Sequence, residues 1–216
     1  MQISLAGALL LALCMLSIGG SELRPSCLGS AHHRTGSRRY GPNNYLAVRA
    51  GTVVHRYHPG PEADTSGVSA SGRASGRIVF VGYGLRAPEA GHDDYAGVSV
   101  RGRIVLVLDG YPGSNPRSLL ARGSDIRSKA ALARSLGAIA LIQVLTKADF
   151  KRGVQSELKE KRVAVLPILR IYSTIAETWI REANGQGLPE IWDRADAGRR
   201  VTMLLHARAS LTADLR

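Results

Sequence analysis

Hydrophobic and polar positions change their rhythm several times along this chain. Residues 3–18 form one apolar run followed by small residues, Gly19, Gly20 and Ser21. That pattern suits a secretory signal peptide cleaved near those residues, or else a short membrane anchor. Residues 21–66 are rich in Arg, His, Gly, Ser and Pro, and only "YLAV" and "GTVVHRY" look strand-like. They read as a basic arm or linker with at most a short hairpin. From Gly67 onward the pattern is regular. Residues 77–83 (RIVFVGY), 103–109 (RIVLVLD) and 138–144 (AIALIQV) are short runs rich in Val, Ile and Leu. They predict buried strands. Residues 163–171 and 200–209 supply two or three more.

Two segments carry helical spacing. In 124–136 (SDIRSKAALARSL), Ile126, Ala130, Ala133 and Leu136 share one face. Ser124 is the predicted N-cap, Asp125 suits the positive end of the helix dipole, and Gly137 is the stop. In 174–183 (TIAETWIREA), Ala176, Trp179, Ile180 and Ala183 form the apolar stripe. Thr174 and Glu177 have capping-box spacing there, and Asn184-Gly185 end the segment. The fold class is therefore α/β, a small domain over 67–212 with mixed strands and two main helices.

Composition sets limits on this picture. A chain of 216 residues that is 44% hydrophobic can bury one real core. The net charge of +12, from 29 basic and 17 acidic residues, invites a nucleic-acid reading. The basic residues are almost all Arg, scattered with no arginine run longer than two, and only 5% of residues are aromatic. Stacking platforms for single strands are scarce, so no specific nucleic-acid partner is expected. Weak attraction to anionic surfaces fits the charge better. Of the two cysteines, Cys14 lies in the apolar run and Cys27 in the arm, so neither a disulfide framework nor a cysteine zinc site is expected.

The stretch Gly82-Tyr83-Gly84-Leu85-Arg86-Ala87 formally matches the G-x-G-x-x-G/A dinucleotide fingerprint. That fingerprint works only where a helix starts at the glycines and holds the pyrophosphate. Here Pro88 comes next and disfavours helical geometry at the preceding residue. No apolar helical periodicity appears for thirty residues, and no acid ends a second strand at the distance that would hold a ribose. The stretch reads as a strand, a tight glycine turn and a structured loop.

The order of motifs beyond the glycines is more informative. "GYGLRAPEAGHDDYAGVSVRGRIVLV" places Gly-Tyr-Gly, Ala-Pro-Glu and Asp-Asp-Tyr before a second strand opened by Gly-Arg. This resembles the protease-associated domain inserted in secreted zinc peptidases, the family of bacterial leucyl aminopeptidases and glutamate carboxypeptidase. "KAALARSLGAIALIQV" and "LPILRIYSTIAETWI" are similar to that family's next helix–strand and strand–helix segments. The resemblance covers about 68–210 and is most specific over Gly82 to Val107. It implies a swivelling β/β/α protease-associated domain without catalytic residues, beside an active site and acting on substrate access or protein–protein contact. It also implies two zinc ions in a peptidase domain that would come after it, no cofactor in this chain, and a secreted or cell-envelope location. The implied partners are that peptidase domain or a peptide or protein substrate. A stand-alone extracytoplasmic binding module is the alternative, and an active metallopeptidase applies if the chain is a truncated gene product.

Candidate chemistry in the chain is sparse. His92-Asp93-Asp94 is the best metal-like constellation, but hard cations need more oxygens, and Asx side chains often satisfy turn amides. His32-His33 and His55-x-x-His58 could offer zinc ligands, although a solvated basic arm explains them. Ser124, Ser128 and Lys129 hint at Ser/Lys catalysis. Ser128 and Lys129 are consecutive on a helix and diverge by about 100°, and Lys129 is expected at the surface, its stem covering the sheet. Asp109, at the carboxyl end of a strand, is a candidate contact residue. The expected interaction surface comprises Tyr83, Asp93, Asp94, Tyr95, Asp109 and Tyr111. No catalytic and no metal-binding residue is assigned.

Overall fold

Alternation along the central strands sends side chains into two separate cores. Ile78 and Phe80 enter one, with Ile104, Leu106, Leu108, Ile142 and Val144. Val79 and Val81 enter the other, with Val105, Val107 and Leu141. A strand buried on both faces reads as a continuous apolar run, because its period of two places successive residues on opposite sides. Each such side chain contributes ~1.5–3 kcal/mol by leaving water.

The structure, a computed structural model, describes residues 39–60, 62–113, 115–146 and 164–216. The predicted signal segment, His32, His33 and both cysteines lie outside these residues. Ten strands are present among those described: β1 (Tyr45–Ala50), β2 (Val53–Tyr57), β3 (Ala63–Thr65), β4 (Gly72–Val81), β5 (Arg86–Ala87), β6 (His92–Asp93), β7 (Ile104–Leu108), β8 (Ala140–Leu145), β9 (Ile168–Tyr172) and β10 (Thr202–Ala213). Three α-helices accompany them: α1 (Ile126–Ser135), α2 (Ser173–Asn184) and α3 (Leu188–Asp196). The main sheet has eight strands in the order β2-β1-β10-β4-β7-β8-β9-β3, while β5 and β6 pair separately. Strands β4, β7, β8 and β9 run parallel, and the flanking pairs are antiparallel.

The sheet curls until its ends approach. Asn44, just before β1, is 3% exposed and accepts from Thr65 Oγ1 at 2.6 Å on β3 and from Asp214 N at 2.7 Å beyond β10. Its amide also donates to Gly41 O and Asp214 O, so every polar group of this buried side chain is used. Helices α2 and α3 cover the first core. Trp179 is fully buried there, and its indole donates to Tyr57 Oη at 3.1 Å. Helix α1 and the loop from 94 to 100 cover the second core through Ala130, Ala133, Tyr95 and Val100.

Several expectations are corrected by this packing. The hairpin expected within 21–66 forms as β1 and β2, but it is no appendage, because β1 lies between β2 and β10 inside the main sheet and β3 closes the far edge. A third helix, α3, joins the two expected ones; Pro189 in its first turn and the stripe Leu188, Ile191 and Ala195 are its signal in the sequence. The cap of α1 is Asp125 rather than Ser124, its carboxylate accepting from Arg127 N and Ser128 N. The capping box at Thr174 does not form. Helix α2 begins one residue earlier, and Glu177 instead accepts from Leu188 N and pairs with Arg181. The element at 163–171 begins as a strand only at Ile168, after Pro167, which cannot donate to a ladder.

Candidate functional site

The carboxyl ends of the parallel strands converge on one rim of the sheet, and the singled-out residues gather there. Strand β4 ends in the turn Gly82–Gly84, where Gly84 N donates to Val81 O at 2.8 Å and Leu108 N donates to Gly82 O at 2.8 Å. Gly84 has φ +68°, and a Cβ there would lie 2.7 Å from Val107 Cγ1. The glycine thus serves close approach of two strands, which no other residue permits. The chain continues into the two-residue β5 and a single 3-10 turn at Pro88–Ala90. Among the described residues no α-helix starts at the glycines, and the dinucleotide geometry is not built.

The acidic loop is turned inward. Asp94 is 2% exposed; its carboxylate accepts from Leu85 N at 2.9 Å and lies 3.0 Å from His92 Nε2. Burial raises its pKa above the usual carboxylate value, opposed by the Leu85 amide and by the nearby His92 and Lys129. Asp93 accepts from Tyr95 N at 2.9 Å and pairs with Arg86 at 3.0 Å. Both acids therefore satisfy turn amides. Tyr95 is buried, and its hydroxyl has no hydrogen-bond partner among the described residues. Burial, and then the charges of Asp94 and Asp93, push its pKa up.

Lys129 departs most from expectation. It is 1% exposed, not at the surface. Its Nζ donates to Leu108 O at 2.9 Å and Gly110 O at 2.6 Å, and sits 5.6 Å from the centre of the Tyr83 ring. Burial lowers its pKa to about 8, opposed by the charges of Asp109, Asp94 and Asp125. Ser128 faces the other way and donates to Asp125, so the two residues do diverge and form no catalytic pair. Asp109 accepts from Gln143 Nε2 at 2.6 Å.

Tyr83 completes the rim. Its hydroxyl donates to Asp196 Oδ1 and accepts from Trp192 Nε1, each at 3.1 Å, while Gly113 N donates to the same Asp196 oxygen at 2.9 Å. Burial, then Asp196, push its pKa upward. Of the six residues expected on an interaction surface, Tyr83, Asp94 and Tyr95 are buried and hold the rim together. Asp93, Asp109 and Tyr111 remain partly exposed. Trp192 and Asp196 join the rim without being among the expected residues, because both ride on α3.

Beside this network lies a groove of about 380 Å³, lined by Thr146 after β8, by Ser173, Thr174 and Glu177 on α2, and by Leu188, Pro189, Trp192 and Asp193 on α3. The indole N–H of Trp192 is held by Tyr83, so its apolar ring is left to form the groove wall. The lining offers apolar surface with three hydroxyls and the carboxylates of Glu177 and Asp193, a setting for binding. Histidines lie elsewhere: His55 pairs with Glu182 at 2.7 Å, and the His58 ring lies 6.0 Å from that of Tyr45. Among the described residues no three His, Cys, Asp or Glu are grouped to hold a metal. The described donors do not fit a zinc centre. Among the same residues no helix is long and apolar enough to cross a membrane.

No protein-family model matches the sequence, and no curated protein matches it. Solved structures similar to it include an aminopeptidase from Aneurinibacillus sp. strain AM-1, with 15% identity and a TM-score of 0.42 over 83% of this chain. Another is a zinc aminopeptidase from Bacillus subtilis, with 14% identity and a TM-score of 0.40 over 83% of this chain. The chain spans 32% of the length of each.

Proposed function

We propose that this chain acts as a non-catalytic, protease-associated accessory domain of an exported zinc aminopeptidase-like protein, binding a peptide substrate or a partner domain at its carboxyl rim. One observation carries this reading. The key residues of the Gly82–Val107 motif are engaged in building the rim: Gly84 in strand approach, Asp94 in the Leu85 amide, and Tyr83 in the Trp192–Asp196 clasp. The motif thus spends its polar groups on a fixed scaffold, and the surface it leaves open is the groove walled by Trp192. A groove of mostly apolar lining with a few hydroxyls and two carboxylates, Glu177 and Asp193, suits an extended peptide segment. The zinc ions of the resemblance belong, in this reading, to a separate peptidase domain.

The test is a titration of the 216-residue chain with an unstructured hexapeptide bearing a free N-terminus and alternating Leu and Ala, monitored by Trp fluorescence. A saturable change that Trp192→Ala removes is the expected result. Chelator-sensitive release of amino acids from the hexapeptide by the purified chain would overturn the non-catalytic reading. An identical titration for the wild type and Trp192→Ala would overturn the groove.

A further inference from the structure

The second face of the main sheet is covered only in part. Helix α1 lies over the parallel strands, whereas among the described residues no element covers this face over β1, β10 and the first half of β4, where Arg49, Arg73, Ser75, Arg77, Arg208 and Ser210 are exposed. The opposite face of the same strands is core, holding Leu46, Val48, Ala50, Ala207 and Ala209. On the open face Arg49 stands directly opposite Arg208, and Arg208 directly opposite Arg77. Three exposed arginines therefore form a row across three neighbouring strands, with Cα atoms about 5 Å apart at each step. Arg56, opposite Ala47, and Arg73, opposite Thr212, flank the row on the same face.

We propose that this row is a binding site for a phosphate-type polyanion, seated between Arg49, Arg77 and Arg208. Like charges placed directly opposite across a ladder destabilise the sheet, so the row has an energetic cost in the free chain. None of the five arginines pairs with a carboxylate among the described residues; the ion pairs there engage Arg86, Arg127, Arg170, Arg181 and Arg216 instead. The alternating pattern alone does not demand Arg. At the next outward position the sheet carries Ser75 and Ser210, hydrogen-bonded at 2.9 Å.

The site is also concave. The register between β4 and β10 shifts between Leu204 and Arg208, a bulge that bends β10 and re-aims its side chains. The resulting hollow, about 280 Å³, is lined by all three arginines and by His206. Guanidinium forks pair with phosphate oxygens two at a time, which a lysine row would not do. Among the described residues Tyr45, paired with Thr212 at the margin of this face, is the one Tyr, Trp or Phe there. The chemistry fits compact phosphate groups better than stacked bases.

The experiment is calorimetric titration of the full chain with inorganic triphosphate, for the wild type, Arg208→Gln, the double variant Arg49→Gln/Arg77→Gln, and the control Arg117→Gln/Arg134→Gln remote from the row. Saturable binding is expected, weakened ~10-fold by Arg208→Gln and at least as much by the double variant, as suits loss of charge-assisted contacts. The control should bind as the wild type. Without ligand, Arg208→Gln should melt higher than the wild type, because repulsion is relieved, and triphosphate should raise the melting temperature of the wild type and the control more than that of Arg208→Gln. Flotation with phosphatidylglycerol vesicles separates the sources. Arg208-dependent flotation competed by triphosphate identifies a lipid headgroup, and triphosphate binding without flotation identifies a soluble phosphate compound. Equal weakening in the control, which signals net charge alone, would overturn the proposal. So would the absence of binding to both probes, or displacement of triphosphate by duplex DNA at lower concentration.

Discussion

The ammonium of Lys129 donates to the carbonyl oxygen of Gly110 at 2.6 Å, from a side chain that is 1% exposed. With its second bond, to Leu108 O, Lys129 ties α1 to the end of β7 and the loop that leaves it. Replacing Lys129 by Met keeps most of the volume and leaves the Leu108 and Gly110 carbonyls without this donor. The expected cost is ~1–3 kcal/mol at pH 7, read by urea unfolding.

The same residue sets a pH signature. Its folded pKa, lowered to about 8 by burial, lies below the ordinary lysine value. Between about pH 8 and 10 the unfolded chain binds more protons than the folded one, so stability rises with pH across that window. Above it the raised pKa values of Tyr83 and Tyr95 act in the opposite direction. Unfolding free energies measured from pH 7 to 10 should climb for the wild type and stay flat for Lys129→Met. Parallel curves would show that Lys129 does not cause the climb.

Asp94 offers a contrast between losing a charge and losing an acceptor. Its pKa is raised by burial, so the charged form is disfavoured in the fold, and its contribution to stability declines as pH rises through the raised value. Asp94→Asn keeps an oxygen for the Leu85 amide and should be tolerated near neutral pH. Asp94→Ala leaves that buried amide unpaired and should cost ~1–3 kcal/mol. Thermal melts of the two variants at pH 7 distinguish them by their order.

Gly84 and Gly110 both have positive φ, but they differ in surroundings. A Cβ at Gly110 meets nothing within 4 Å, whereas at Gly84 it would press on Val107. Gly110→Ala should therefore cost only the left-handed backbone penalty of ~1–2 kcal/mol. Gly84→Ala adds overpacking, typically a further ~1–3 kcal/mol. Equal melting temperatures for the two would show that strand approach at Gly84 is looser than the geometry indicates.

Tyr83→Phe removes one hydroxyl that serves both Asp196 and Trp192. The fold should survive, while the groove wall loosens. Trp fluorescence should shift toward that of a more mobile, wetter indole, and hexapeptide affinity should fall while Trp179 stays buried. An unchanged emission spectrum would argue that packing alone holds Trp192.

Much of this architecture is written locally. The run Ile78-Val79-Phe80-Val81 declares a strand buried on both sides, because its period of two leaves no polar face. Pro88 after Ala87 rules out a helix at the glycines from sterics alone. Helix α1 follows from the spacing of Ile126, Ala130 and Ala133. The same spacing takes in Lys129, three residues after Ile126 and four before Ala133, but a lysine is by habit assigned to water. Its burial is decided by the carbonyls of a strand end about twenty residues away in sequence, which no local pattern reveals. The clasp of Tyr83 with Trp192 and Asp196 likewise joins segments over a hundred residues apart. The row Arg49–Arg208–Arg77 depends on register between three strands and on a bulge in β10. The sequence by itself determined the long strands, two of the three helices and most of the faces they bury, since those depend on local sterics and periodicity, while the short strands β3, β5 and β6 carry no such signal. Only the tertiary structure decided which polar side chains meet, because strand order and register are settled by packing between residues far apart in the chain.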